Sequence, residues 1–262
     1  MTCKNCNNTL RTDYSFCPDC GAKVIRNRIT AKSLTFDFFE RFFNLDNTLF
    51  KTLWHMIIKP QDVCGGYISG LRKKYLNPVS ILAISLTVSG LVMFLMKKIA
   101  WEHIDFSNIG YAQTSSGAAG TEKIMSKTME YSSFVYFLYI PIIAFSSFVA
   151  FNYKKYNFAE HVVSAIYTLT SFSLITTIYA VITLLINPQL YMNTAMIYIV
   201  FMIVFCIYVS YKNSENNLKS LFWRIPLFLL IVLIGYIGTS ILTVVVLFLS
   251  GELSPQDFIL KN

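Results

Sequence analysis

Residues 79–96, VSILAISLTVSGLVMFLM, decide the fold: they run without a formal charge, are entered through Asn77-Pro78 and are left through Lys97-Lys98. A helix rising about 1.5 Å per residue needs roughly 17–25 residues to cross about 30 Å of hydrocarbon, so this stretch is long enough to span a bilayer. Asn77 offers an N-cap oxygen, and Pro78 suits the first helical position, where a missing N–H leaves nothing unpaired. Further apolar stretches follow at 134–151, 162–186, 194–211 and 225–249, and none of the five contains Asp, Glu, Lys, Arg or His. Strands are excluded, because an open edge is left unsatisfied in lipid and nothing alternates with period two. Pro141 predicts a kink within the second span, and Pro226 predicts the first helical residue of the fifth.

Composition agrees with this all-α polytopic membrane class. The chain of 262 residues is 55% hydrophobic, 16% aromatic and 14% charged, whereas ordinary globular chains carry about 25% charged residues. The net charge of +8 follows topology more than it marks a nucleic-acid surface. Residues 1–78 hold 12 Lys/Arg, and the 152–161 and 212–224 loops add Lys154, Lys155, Lys212, Lys219 and Arg224. The opposite side holds Lys97, Lys98, Lys123, Lys127 and Lys261. The positive-inside bias therefore predicts a cytoplasmic N-terminus, a loop outside at 97–133, and an external tail at 251–262 in an inner or plasma membrane. Residues 1–30 lack the apolar core of a cleavable signal peptide. No internal repeat marks an inverted-repeat transporter, and the missing intramembrane charges argue against ion coupling.

The soluble part opens with Cys3, Cys6, Cys17 and Cys20, a C-x2-C, ten-residue gap, C-x2-C array. Four thiols at this spacing suit one tetrahedral structural zinc ion in a small ribbon, expected over residues 1–25. The rival is a pair of redox motifs, but those come singly in a βαβ context. Zinc thiolates need reduced cysteines, which again places the N-terminus in the cytosol. Lys23, Arg26, Arg28 and Lys32 follow the array, where nucleic acid is the weaker partner reading; they also face anionic lipid and offset the charge of a four-thiolate centre. Cys64 and Cys206 fit no pattern.

Residues 26–78 read as interfacial helices with a basic juxtamembrane element. Phe38, Phe39, Phe42, Phe43, Leu49, Phe50, Leu53, Trp54, Ile57 and Ile58 recur at three- and four-residue intervals, with Asp37, Glu40, Arg41, Asn44, Lys51 and His55 largely opposite. A break is expected at Asn44–Asn47, with Asp46 as N-cap. The stripe fits helices lying in the membrane interface or packed on the cytoplasmic ends of the spans. Val63, Tyr67, Leu71 and Tyr75 fall at successive four-residue spacings and predict one apolar helical face, while Arg72, Lys73 and Lys74 cluster before the membrane. Those three form either a topology-setting cluster or a site for anionic lipid headgroups, each basic side chain contributing about 1 kcal/mol near the surface.

The run Tyr67-Ile68-Ser69-Gly70-Leu71-Arg72-Lys73-Lys74-Tyr75-Leu76-Asn77-Pro78, with the Cys array and the Phe-rich helices, resembles a bacterial membrane-protein family of unknown function. Such proteins share an N-terminal four-Cys zinc ribbon, a Tyr-Ile-x-Gly-x-Arg-Lys-x-Tyr-x-x-Pro element and several hydrophobic spans. The resemblance covers about residues 3–80, implies architecture and supplies no activity. Leu71 stands where it implies a basic residue.

No catalytic constellation is legible. Trp101-Glu102-His103-Ile104-Asp105 brings carboxylates beside a histidine without a nucleophile or third ligand. His55 and His161 are expected at membrane borders. The hydroxyl-rich third span and the Gly/Ser/Thr positions of the fifth suit helix packing, or a pathway for lipid or a neutral solute. The sequence is therefore read as a non-enzymatic, membrane-anchored adaptor or assembly component with a cytosolic protein partner and lipid neighbours. A translocator of lipid or small neutral solutes stands second and a membrane-embedded enzyme third; oligomerisation stays open.

Overall fold

The computed structural model describes residues 2–22, 24, 48–100, 126, 127, 132–214 and 221–251. Two compact units result, Met1–Asp46 and Asn47–Asn262. Residues 34–47 of the expected aromatic stripe, with the break at Asn44–Asn47 and the cap at Asp46, lie outside the described residues. So do Arg26, Arg28, Lys32 and the Trp101–Asp105 motif.

In the second unit, α1 (Thr48–Ile58) and α2 (Pro60–Ile68) form a bent pair. Pro60 has no N–H to offer and disfavours helical geometry at Lys59, which takes φ −138° and ψ 61°. The Lys59 N–H closes the last turn of α1 on the His55 carbonyl at 2.7 Å. Helix α3 (Pro78–Leu95) begins as expected: Asn77 Oδ1 accepts from the Val79 N–H at 2.9 Å, and Pro78 is the first helical residue. It runs on through a π-helical turn at Met96–Ala100.

Helix α4 (Ser132–Ala150) passes through Pro141 without a break in the helix. Helix α5 (Phe158–Ile186) starts before the apolar run, because Asn157 and Glu160 form a reciprocal capping box with bonds of 2.9 and 2.7 Å. Asn187 alone separates it from α6 (Pro188–Ser214). Helix α7 (Leu221–Leu249) begins earlier than expected, which corrects one expectation: Pro226 sits in its second turn and is not the first helical residue.

Among the described residues, four helical segments are long and apolar enough to cross a membrane: Pro78–Lys98, Phe158–Ile186, Ile197–Ser214 and Leu221–Leu249. The expected second span falls in α4, whose apolar portion Tyr136–Ala150 is shorter than these four. Helix α5 is the hub, packed against α1, α2, α3, α4 and α6, while α7 packs mainly on α4.

Among the described residues of this unit, two apolar cores follow. One joins α4, α5, α6 and α7 through Ile140, Ile143, Leu169, Cys206 and Phe228. The other joins the α1–α2 pair to α3, α5 and α6 through Met56, Val63, Tyr75, Ile81 and Tyr167. Gly235 lets α7 lie close to α4, since a Cβ there would overlap the Ile142 side chain. The threonines of α5 bond back to their own helix, as Thr168 does to the Ser164 carbonyl at 2.7 Å and Thr183 to the Tyr179 carbonyl at 2.9 Å. That is how such residues remain compatible with an apolar surrounding.

Candidate metal centre and basic segment

In the first unit the cysteines occupy two equivalent turns. The Cys3 N–H donates to the Asn8 carbonyl at 2.8 Å, and the Cys17 N–H to the Ala22 carbonyl at 2.9 Å. Within each turn the fifth residue returns to the first: Asn7 N–H to Cys3 O and Gly21 N–H to Cys17 O, both at 2.9 Å. That fifth residue is left-handed in both, at φ 59° for Asn7 and φ 69° for Gly21, the region glycine and asparagine tolerate best. An antiparallel bridge between Thr2 and Thr9 closes the first turn. Cys3, Leu10 and Cys17 form a small core, with Tyr14, Ala22 and Val24 packed on it.

The turns bring the four sulfurs within 4.8 Å of one another. Cys3 Sγ lies 3.7 Å from Cys20 Sγ, and Cys6 Sγ lies 3.6 Å from Cys17 Sγ. A disulfide requires about 2.05 Å, and all four thiols are free. A tetrahedral ion with metal–sulfur bonds of about 2.3 Å spaces its ligands by about 3.8 Å, so the residues fit a metal ion. The Asn5 N–H also points at Cys3 Sγ at 3.5 Å, and N–H donors of this kind favour thiolate.

Electrostatics divides the thiols. The Asn5 side chain, foremost, lowers Cys20 to about 6. Backbone N–H groups, first that of Cys6, lower Cys3. Cys6 is lowered by the Asn8 backbone but pushed the other way by the Cys20 and Cys17 thiols, and ends at about 12. Crowded thiols that hold back one another's ionisation are a site that a cation relieves. A metal here would cross-link the two turns.

The segment between α2 and α3 takes a form the spacing did not predict. The helix stops at Ile68 and does not reach Tyr75, which corrects the expected single face of Val63, Tyr67, Leu71 and Tyr75. Gly70 sits at φ +103°, its N–H bonds to the Tyr67 carbonyl at 3.1 Å, and the Leu71 N–H bonds to the Gly66 carbonyl at 2.8 Å. This pair of bonds is a Schellman termination. Leu71 then folds back over Gly66.

Beyond the stop, the chain is pinned at Tyr75 and Leu76. Tyr75 Oη and His55 Nδ1 are 2.8 Å apart; the Leu76 N–H donates to Thr52 Oγ1 at 3.0 Å; and Tyr167 Oη donates to the Leu76 carbonyl at 2.6 Å. Arg72, Lys73 and Lys74 are thereby left exposed on a short loop, with Arg72 over the Tyr67 ring and Lys74 over the Tyr75 ring.

Helix α1 divides the expected stripe. Thr52 and Met56 are buried and Leu49 and Leu53 pack on the second core, whereas Phe50 is 72% and Trp54 62% exposed, together with Ile57 and Ile58. Residues 48–58 thus pack on the helices and also present an outward aromatic face.

His161, expected at a membrane border, is buried between α4 and α5 with Nδ1 3.0 Å from Ser147 Oγ. Sequence reasoning missed this pair and the bond from Asn213 Nδ2 to Ser164 Oγ at 3.1 Å; the spacing of His161 and Ser164 on one face of α5 was the available signal. Cys64 is buried, which pushes its thiol up to about 12 and leaves it inert. Cys206 is buried in the other core.

These features define a helical, membrane-type protein carrying a cysteine cluster able to hold a metal ion. The family model described as a protein of unknown function (DUF3667) matches residues 46–90, which take in α1, α2, the pinned loop and the first two-thirds of α3. No curated protein and no solved structure matches the chain.

Proposed function

We propose that this is a non-enzymatic, membrane-anchored adaptor or assembly component. In this reading Cys3, Cys6, Cys17 and Cys20 hold one structural zinc ion, and the small module so formed recruits or senses a protein partner in the cytosol. The observation that carries the reading is the closed sulfur set. Four thiolates at these separations complete a tetrahedral ion and leave no position for water or substrate, which is the mark of a structural centre. Tetrahedral four-sulfur coordination favours zinc over the harder divalent ions.

The helical unit in this reading crosses an inner or plasma membrane five times, with α4 as the second crossing. Its 19 residues extend about 28 Å, close to the thickness of the hydrocarbon. The bias of Lys and Arg supports a cytoplasmic N-terminus and an extracytoplasmic C-terminus. Arg72, Lys73 and Lys74, exposed just before α3, are assigned to anionic headgroups, and the Phe50 and Trp54 face to the bilayer interface.

Two measurements test the reading. Elemental analysis of the purified chain should give one zinc per chain, lost in Cys17→Ser/Cys20→Ser. Cross-linking in membranes should then show a cytosolic protein that the variant no longer captures; an unchanged set of neighbours sinks the adaptor role. Separately, alkaline phosphatase fused to the C-terminus should be active, as five crossings require. A silent enzyme there, with a fluorescent cytosolic reporter in its place, would establish four.

A further inference from the structure

We infer that the helical unit binds an uncharged acylglycerol, with its glycerol end in a hydroxyl-lined cavity between α3, α4, α5 and α6 and one acyl chain in an apolar groove between α5 and α6. This goes beyond the adaptor reading and does not rest on the cysteine cluster. The cavity measures about 320 Å³, and its walls include Ser89, Tyr136, Ser173, Thr176 and Thr177. The groove measures about 510 Å³ and is walled by Phe201, Val204, Phe205 and Tyr208 among others. Phe172, Thr176 and Tyr198 line both, so the two spaces adjoin. Each falls in the range of about 300–1,000 Å³ usual for ligand sites.

The hydroxyls specify the guest. Thr176 donates to the Phe172 carbonyl at 2.9 Å and Thr177 to the Ser173 carbonyl at 2.8 Å. Their protons are committed to the helix, and their oxygen lone pairs remain as acceptors. Ser89 and Ser173 share one bond between α3 and α5 at 2.9 Å. Tyr136 Oη is buried and makes no hydrogen bond of ordinary length among the described residues, the hydroxyls of Ser85 and Ser173 being the polar groups beside it. A buried hydroxyl left unpaired is costly, so this one is the donor a guest would use.

The complementary ligand offers a carbonyl to Tyr136 and a hydroxyl to the threonines. An acylglycerol carries both, in its ester and its free alcohol. Charge decides between lipid classes: among the described residues no Asp, Glu, Lys, Arg or His lines either space, so a phosphate headgroup would enter without a counter-charge. The groove accounts for the chain. Its aromatic and aliphatic walls suit hydrocarbon, and Tyr208 joins α6 to α1 beside it by donating to the Ile57 carbonyl at 2.8 Å.

The test uses the full-length protein in phosphatidylcholine nanodiscs doped with either dioleoylglycerol or dioleoylphosphatidylglycerol, with bound lipid read by native mass spectrometry. The expected result is one dioleoylglycerol per chain and no phosphatidylglycerol in its place. Tyr136→Phe should weaken the affinity for dioleoylglycerol about fivefold when the doped lipid is titrated, as the loss of one hydrogen bond implies. Ala180→Trp, which fills the cavity, should abolish it. Melting curves report whether each variant is folded; should Ala180→Trp not fold, Ser89→Ala takes its place and should also lower occupancy. Equal retention by wild type and the filled variant, retention of phosphatidylglycerol equal to that of the neutral lipid, or a chain that retains no lipid because water alone fills the cavity, each overturns the assignment.

Discussion

Tyr167 shows what a single side chain does here that spacing does not reveal. In the sequence it is one of many hydroxyl-bearing residues in an apolar run, indistinguishable from Thr168 or Tyr179. In the fold it is fully buried, and its hydroxyl reaches the Leu76 carbonyl at 2.6 Å, anchoring the loop that carries Arg72, Lys73 and Lys74. A buried carbonyl deprived of its donor costs about 1–3 kcal/mol. Tyr167→Phe is therefore expected to lower the melting temperature measurably in detergent. Tyr208→Phe, which removes a more exposed bond to the Ile57 carbonyl, should change it far less. Equal shifts in the two variants would contradict the role given to burial. The cysteines are the opposite case. Their partners are one another, their spacing is local, and both turns could be read directly from C-x2-C. The partner of Tyr167 is a backbone atom 91 residues away, and no residue type announces a carbonyl.

At the scale of elements, two glycines set where helices stop and how closely they approach. Gly70 holds φ +103° and terminates α2, so the basic loop turns instead of continuing the helix to Tyr75. A β-carbon in that region is strained by about 1 kcal/mol or more. Gly70→Ala should lower the melting temperature, whereas Gly90→Ala, in open space on α3 and in ordinary helical geometry, should hold or raise it. Gly235 acts by contact: any side chain there meets Ile142 across the α4–α7 interface, which two to three turns away also holds the Phe151–Phe228 ring pair and the bond from Arg224 to the Ala150 carbonyl. Overpacking of this kind costs about 1–3 kcal/mol. Gly235→Val should weaken the fold, and Ile142→Ala in the same chain should restore part of the loss; an additive double variant would show that the two positions do not share a contact. Helix existence was legible because hydropathy alone reports it. Helix ends were read well where a cap is written in sequence, as at Asn77-Pro78, and poorly at α7, where Phe222, Trp223 and Arg224 are helical before the charge-free run begins. The four-residue spacing through Tyr75 misled because periodicity carries no information about a left-handed stop.

At the scale of the molecule, the chain divides into units whose cores share no residue. Cys3, Leu10 and Cys17 make up the first, while the second rests on the two clusters built around α5. The first core is too small to supply much burial energy, so its fold should depend on the metal, as small metal-bound modules do. Stripping the metal with a strong chelator should open Met1–Asp46 to limited proteolysis while leaving the melting and helical circular dichroism of Asn47–Asn262 unchanged. The pH dependence has a definite sign. Metal-bound thiols are deprotonated, whereas the free set holds protons, with Cys6 up at about 12. Uptake therefore releases protons, and affinity rises with pH. Acidification works in reverse and should bite hardest below about 6, where Cys20 also begins to take up a proton. Chelator competition at a series of pH values measures this directly. A flat affinity between pH 8 and pH 5, or a chelated chain whose first 46 residues resist protease, would show that the module folds on its own contacts and that the four thiols are not its fastening.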